Sequence, residues 1–181
     1  MESLLDPLFL WKAARATGLA SYIALCLSIL SGVALRTSVL DFLAKNRQLR
    51  SLHDFMTWLW IPLGVAHIVT LVLDKTAQIR PSDALLPFQV GYGVVPIGLG
   101  TISLDIFVVV TLTSWIRRRM DDRLWRWIHR TSYVAFVTLF LHAFWSGTDF
   151  DAPLISAVSW SAALGIGLLA ISRMLFGRLP D

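Results

Sequence analysis

A single cysteine, Cys26, is all the thiol that 181 residues contain. One thiol forms no internal disulfide, and a cysteine-ligated iron–sulfur cluster, which takes four thiolates, is excluded with it. Charge is also scarce: Asp, Glu, Lys and Arg make up 15% of the chain, against about 25% in soluble domains. Low-complexity tracts and glycine-serine linkers are absent, so residues 1–181 read as one domain. A glycine-rich dinucleotide fingerprint is missing too. The string GYGVVPIG around Gly91 follows no soluble strand and sits at the entry to an apolar run. After Ile171 only SRMLFGRLPD remains, so no nucleotide-binding domain is expected to follow. Met1 to Leu10 carries Glu2 and Asp6 and lacks a basic leader region, so the first apolar run is expected to stay in the protein.

Apolar sequence fills the space that charge leaves. The chain is 56% hydrophobic with mean hydropathy +0.65, and Trp occurs 8 times, as in proteins with interfacial aromatic belts. These values predict an all-α, integral membrane helical bundle of about five transmembrane helices. The apolar runs place them at about 17–35, 52–73, 94–116, 125–145 and 154–171. A pI near 9.7 is shared by many nucleic-acid binders, but the basic residues flank apolar spans and form no soluble patch, so nucleic acid is not an expected partner. The lipid bilayer is. Of 16 Lys and Arg, all but Lys12, Arg15, Lys75 and Arg80 fall on one side of such a bundle, in Arg36 to Arg50, Arg117 to Arg130 and the C-terminus. The positive-inside rule then puts the N-terminus outside and the C-terminus in the cytoplasm of a cell's inner membrane.

The four histidines form two pairs of nearly equal separation, His53 with His67 and His129 with His142. An ionisable residue inside a span reads by default as functional. At about 1.5 Å per residue, each pair spans roughly 20 Å of helix, so one member lies near each face of a hydrocarbon core about 30 Å thick. The second and fourth spans both start at the cytoplasmic face. His53 can therefore face His129 near the cytoplasm, and His67 can face His142 near the outside, as two axial-ligand sets for two haem irons. Two imidazoles per iron suit a b-type haem, and no Cys-x-x-Cys-His string is present for covalent attachment. Zinc would want three or four closer ligands. One geometric objection stands: at about 100° per residue, the 13-residue step leaves His142 some 140° from His129 on an ideal helix.

The motifs HDFMTWLWIPLGVAH, from His53 to His67, and LWRWIHRTSYVAFVTLFLHAFWSGTD, with Trp125, His129, Tyr133 and His142, resemble the ferric reductase-like transmembrane domain. That domain is shared by ferric reductases, NADPH oxidases and the haem subunit of the periplasmic methionine sulfoxide reductase system. ARATGLASYIALCLSILSGVAL and LLPFQVGY add to the likeness, which covers nearly the whole chain. The resemblance implies two haem b groups with bis-histidine ligation, passing electrons from the cytoplasmic side to an outer acceptor. The expected function is a di-haem electron-transfer subunit. Its donor is a flavoprotein, a non-covalently bound flavin or a membrane quinol, and its outer partner is a periplasmic oxidoreductase. A self-contained ferric or oxygen reductase is the alternative within redox chemistry; a non-redox proton pathway or anchor is the alternative outside it.

Other residues fill supporting roles in this reading. Arg130, adjoining His129, and Arg126 suit haem propionates because a guanidinium grips carboxylates bidentately; the plain reading of the run from Arg117 is a topology determinant facing anionic lipid. Trp125 and Trp127 read as belt residues. Asp105, in the middle of the third span, either hydrogen-bonds hydroxyls such as Ser28 or Thr138 or lines a proton or quinone site. Gly18, Ser21, Gly32, Gly165 and Gly167 are expected to allow close helix contact or give a haem room.

Overall fold

The computed structural model describes residues 6–35 and 45–176, and among them every regular element is helical. Six α-helices follow in order: α1 (Pro7–Ala34), α2 (Asn46–Leu73), α3 (Val94–Trp115), α4 (Asp122–Arg130), α5 (Ser132–Ser146) and α6 (Pro153–Phe176). Residues 36–44 and 177–181, which contribute Arg36 and Arg178 to the charge count above, lie outside the described residues. The helices belong to two units. One holds α1, α2 and α6, and the other, Lys75–Asp151, holds α3, α4 and α5.

In the first unit α1 is the spine. Its start is set by sequence: the Asp6 carboxylate accepts from the Leu8 N–H at 3.0 Å and Pro7 occupies the first helical position. Tyr22, Leu25, Ile29 and Val33 are buried along it, while α2 has no fully buried residue. α2 runs antiparallel to α1, and a row of small residues on α1 brings the backbones close. Lipid tails are as apolar as leucine, so such a pair is held by close packing and interhelical hydrogen bonds rather than by expulsion of water. The Ser21 hydroxyl donating to the Trp60 carbonyl at 3.1 Å is one of these bonds. Large apolar side chains of α2 such as Phe55, Trp58 and Val65 are exposed, the surface a lipid solvent calls for. Pro62 sits inside α2 without ending it, as spans tolerate.

In the second unit α3 packs antiparallel to α5. The Ser103 hydroxyl, fully buried, donates to the Ala135 carbonyl at 2.8 Å, and Ala135 itself is 0% exposed. Gly93 starts α3 in the left-handed region, with φ +53°. Before it, Phe88 takes φ +65°, a conformation that costs a residue with a Cβ about 1–2 kcal/mol. Its ring is seated against Gly98, where any Cβ would clash with the Phe88 ring. The loop is also clamped through Asp83, which is 2% exposed. Its carboxylate accepts from the Arg80 N–H at 2.9 Å and from the Arg80 guanidinium at 3.2 Å, and its carbonyl accepts from the Thr101 hydroxyl of α3 at 2.9 Å. These donors, the Arg80 N–H foremost, hold the Asp83 carboxyl below the usual carboxylate range.

Four of the five expected spans are single helices long and apolar enough to cross a membrane: α1, α2, α3 and α6. The expected fourth span, 125–145, is two helices. Thr131 interrupts it: the Thr131 N–H bonds the Ile128 carbonyl at 3.0 Å and the Thr131 hydroxyl donates to the same carbonyl at 2.7 Å. That carbonyl then serves an i→i+3 turn, and α5 keeps 15 residues. The two histidines of this run therefore lie on separate helices, His129 on α4 and His142 on α5, and the ideal-helix angle between them does not apply.

Candidate functional site

His53 and His67 both lie on α2 and both meet α1. The His67 Nδ1 is 2.8 Å from the Ala14 carbonyl, and the His53 Nδ1 is 2.7 Å from the Ser28 carbonyl. His142, on α5, repeats the arrangement in the other unit, with Nδ1 2.9 Å from the Pro96 carbonyl of α3. A carbonyl only accepts, so in each case Nδ1 carries the proton and donates it, and the ring's lone pair is on Nε2. This is the tautomer in which an imidazole ligates iron through Nε2, with its other nitrogen held by an outer hydrogen bond that orients the ring and strengthens the donor. Three of the four candidate ligands are in that state, and the donor set fits a haem iron.

The surroundings of His53 form a closed cycle of hydrogen bonds. Thr57 donates to the His53 carbonyl at 2.7 Å, which leaves its oxygen to accept from the Ser28 hydroxyl at 2.8 Å. Ser28 Oγ in turn lies 3.2 Å from His53 Nδ1 and shares the proton that the Ser28 carbonyl accepts. Ser28 is thus engaged with His53, while Thr138 donates to the Ala135 carbonyl at 3.0 Å within its own helix. Asp105 itself is half-buried on α3.

His129 is held by other means. On α4 it stacks on Trp125, with ring centroids 4.9 Å apart and planes at 25°. Trp125 is fixed by the Ser114 hydroxyl, which accepts its indole N–H at 3.4 Å, and by the Arg117 guanidinium 4.1 Å from its ring centre. Trp125 is therefore more than a belt residue: it braces a candidate ligand. The N-terminus of α4 is capped by Asp121, which accepts from the Leu124 N–H at 2.9 Å. Arg126 and Arg130 are exposed on α4, and the Arg130 guanidinium lies 5.3 Å from the centre of the Trp127 ring.

The glycines sort into two kinds. A Cβ at Gly18 would stand 2.8 Å from the His67 ring and one at Gly32 3.0 Å from the His53 ring, so both give the close approach expected of them. Gly100 does the same for His142, at 2.6 Å; sequence reasoning missed it, although its place four residues after Pro96 mirrors the other two. Among the described residues nothing lies within 4 Å of a Cβ at Gly165 or Gly167. Those two do not mark close helix contacts.

Comparison with known proteins places the chain in a family. A curated relative from Ralstonia nicotianae, the protein-methionine-sulfoxide reductase heme-binding subunit MsrQ, is 26% identical over 159 residues, covering 84% of this chain and 68% of its own length. No solved structure matches the chain. The family model described as the ferric reductase like transmembrane component matches residues 17–140, a stretch that contains Gly18, Gly32, Gly100 and three of the four histidines. With its apolar helices and histidine-bearing α2, this integral membrane protein belongs to the ferric reductase like transmembrane family.

Proposed function

We propose that this protein is a transmembrane electron-transfer subunit holding two haem b groups, with His53, His67, His129 and His142 as axial ligands. The observation that carries the reading is the state of three imidazoles, each with Nδ1 donated to a backbone carbonyl and Nε2 left as the donor nitrogen. Bound haem supplies one-electron chemistry that no side chain here provides. The protein's part is to fix the ligands, to keep the site dry among apolar helices and to set charge near it. Depth along the sequence supports pairing His53 with His129 and His67 with His142. Arg126 and Arg130, exposed beside His129, have the charge and geometry to meet the propionates of the His129 haem.

The naming of the Ralstonia nicotianae relative as a haem-binding subunit of a methionine sulfoxide reductase supports a redox partner protein. We assign the acceptor to the outer side as an oxidoreductase of that class. The donor on the cytoplasmic side is a membrane quinol or a flavoprotein, with a non-covalently bound flavin as its link. The distribution of Lys and Arg supports an inner-membrane location with the N-terminus outside.

A reduced-minus-oxidised spectrum of the purified protein, with a haem-to-protein ratio, tests the reading. Two low-spin haems per chain are expected. His67→Ala and His142→Ala should then remove one and the same haem, and His53→Ala and His129→Ala the other. Folded, stable protein without haem refutes the function, and identical spectral losses in His67→Ala and His129→Ala refute the pairing.

A further inference from the structure

The three carbonyls that hold the imidazoles share a feature. Four residues after Ala14, Ser28 and Pro96 stand Gly18, Gly32 and Gly100. The spacing has a physical cause. In an α-helix the carbonyl of residue i already accepts the N–H of residue i+4, and the Cβ of residue i+4 leans back toward the N-terminus over that carbonyl. A second donor approaching from the side must cross the place of that Cβ. The nearest atom a Cβ would meet at each of these glycines is the Nδ1 that makes the hydrogen bond, at 2.8 Å for His67, 3.0 Å for His53 and 2.6 Å for His142. The register agrees as well: Gly18 and Gly32 are separated by the same interval as His53 and His67 on the antiparallel helix.

Resting on the haem reading above, we propose that Gly18, Gly32 and Gly100 are positioning residues for three of the haem ligands. Each opens a notch that lets an imidazole down onto a carbonyl already paired within its helix, fixing the Nδ1–H tautomer and the ring orientation. The fourth ligand departs from the scheme in a consistent way. Fourteen residues beyond Gly100 stands Ser114, whose hydroxyl donates to the Val110 carbonyl at 2.7 Å and accepts from Trp125. A side chain fills the position a notch would take, and His129 is set by stacking on Trp125.

A glycine that served only helix packing would be indifferent to the identity of the ring beside it. The test therefore pairs each glycine with its histidine. In the full chain, G18A, G32A and G100A are made alone, with G165A as a control where a Cβ has open space. The backbone carbonyl cannot retreat, so the imidazole must, and the hydrogen bond stretches. Haem retention should fall about 10- to 100-fold, the usual effect of losing an outer-shell partner. The order should be G100A, then G18A, then G32A, following the contact distances. Haem that remains should titrate at a higher midpoint potential, because its ligand has lost donor strength, and G165A should change nothing. A second measurement follows thermal stability as purified, whatever the haem content: the penalty of G18A should vanish in the His67→Ala background, and that of G100A in the His142→Ala background. If G100A alone fails to accumulate, recovery in the double variant is the same result. Unchanged haem retention and potential in all three alanine variants overturns the notch and leaves the haem reading standing. Equal penalties with and without the imidazole also overturn it. Wild-type protein that folds without haem overturns the haem reading itself, an outcome to which the stability cycle is indifferent.

Discussion

A neutral imidazole has one N–H and one lone pair, and a partner that only accepts decides which nitrogen has which. For His53, His67 and His142 the partner is a backbone carbonyl. The candidate ligands were therefore legible in the sequence, as four histidines at matched intervals in apolar runs, while what orients them was not. Every residue has a carbonyl, and no residue type announces that its oxygen accepts a second bond. The only trace is the glycine four positions on, visible once the carbonyl is known. Asp83 is similar. A Pro-flanked Arg80 and Asp83 three residues apart read as an ordinary polar loop, yet the carboxylate is almost wholly enclosed. Its pKa in the folded protein is held low by the Arg80 N–H and guanidinium. A carboxyl depressed on folding adds stability that is present above its unfolded value of about 3.9 and is lost as pH falls through the folded value. Asp83→Asn should thus unfold at a lower temperature than wild type at neutral pH. The gap should close as the pH is taken below the ordinary carboxylate range, as a thermal melt series in detergent would read. A gap of constant size across that range would mean that Asp83 acts through shape alone.

At the scale of the element, hydropathy located α1, α2, α3 and α6 because each contains a long apolar run; α3 starts where that run does, after Gly93, whereas α1 starts at Asp6-Pro7, well before the run expected from about residue 17. The span drawn from Trp125 to Trp145 fails as one helix for a local reason. Its first residues, Trp125–Arg130, belong to α4 and carry Arg126, His129 and Arg130 among their apolar residues, and Thr131 then turns its hydroxyl back on the Ile128 carbonyl. Average hydropathy over the run hides both. The consequence is that α4 needs its own brace, and Trp125 supplies it by stacking on His129 while bonded to Ser114. A stacked aromatic pair is worth about 0.5–1.5 kcal/mol beyond its burial, or roughly two- to tenfold in an equilibrium. Trp125→Ala should therefore weaken retention of the haem proposed for His129 by about that factor and leave the other proposed haem unchanged. Trp125→Phe, which keeps a ring but not the N–H, should lie between. Titrating haem loss from each variant by absorbance separates the two effects, and equal loss of both haems in Trp125→Ala would show that the residue holds the fold rather than the ligand.

For the whole molecule, charge carries what packing does not. The apolar helices decide that the chain lies in a membrane, but a bundle of such helices is stable either way up, and only the residues between spans distinguish the two orientations. Twelve of the 16 basic residues fall in or near three segments that a serial threading of five spans puts on one side. One of these, Arg117 to Arg130, spans the short 3₁₀ turn Arg117–Arg119 and α4, so the cluster is displayed on ordered elements that also carry His129. Within it, the contact of Arg117 with Asp122 at 3.8 Å joins two well-exposed side chains and contributes little to stability. The cluster's strength lies in its field: each basic residue near an anionic leaflet is worth about 1 kcal/mol. Retention of this loop in the cytoplasm should therefore outweigh the four basic residues assigned to the outside. A reporter active only in the cytoplasm, fused after Asp181, should be active, and one active only outside, inserted in the loop from Gly147 to Asp151, should be active as well. Replacing Arg117, Arg118, Arg119 and Arg123 together with Gln should weaken that bias and produce mixed activity at both sites. Outside activity of the C-terminal fusion in the unaltered protein would invert the bundle, and with it the side from which electrons are proposed to enter.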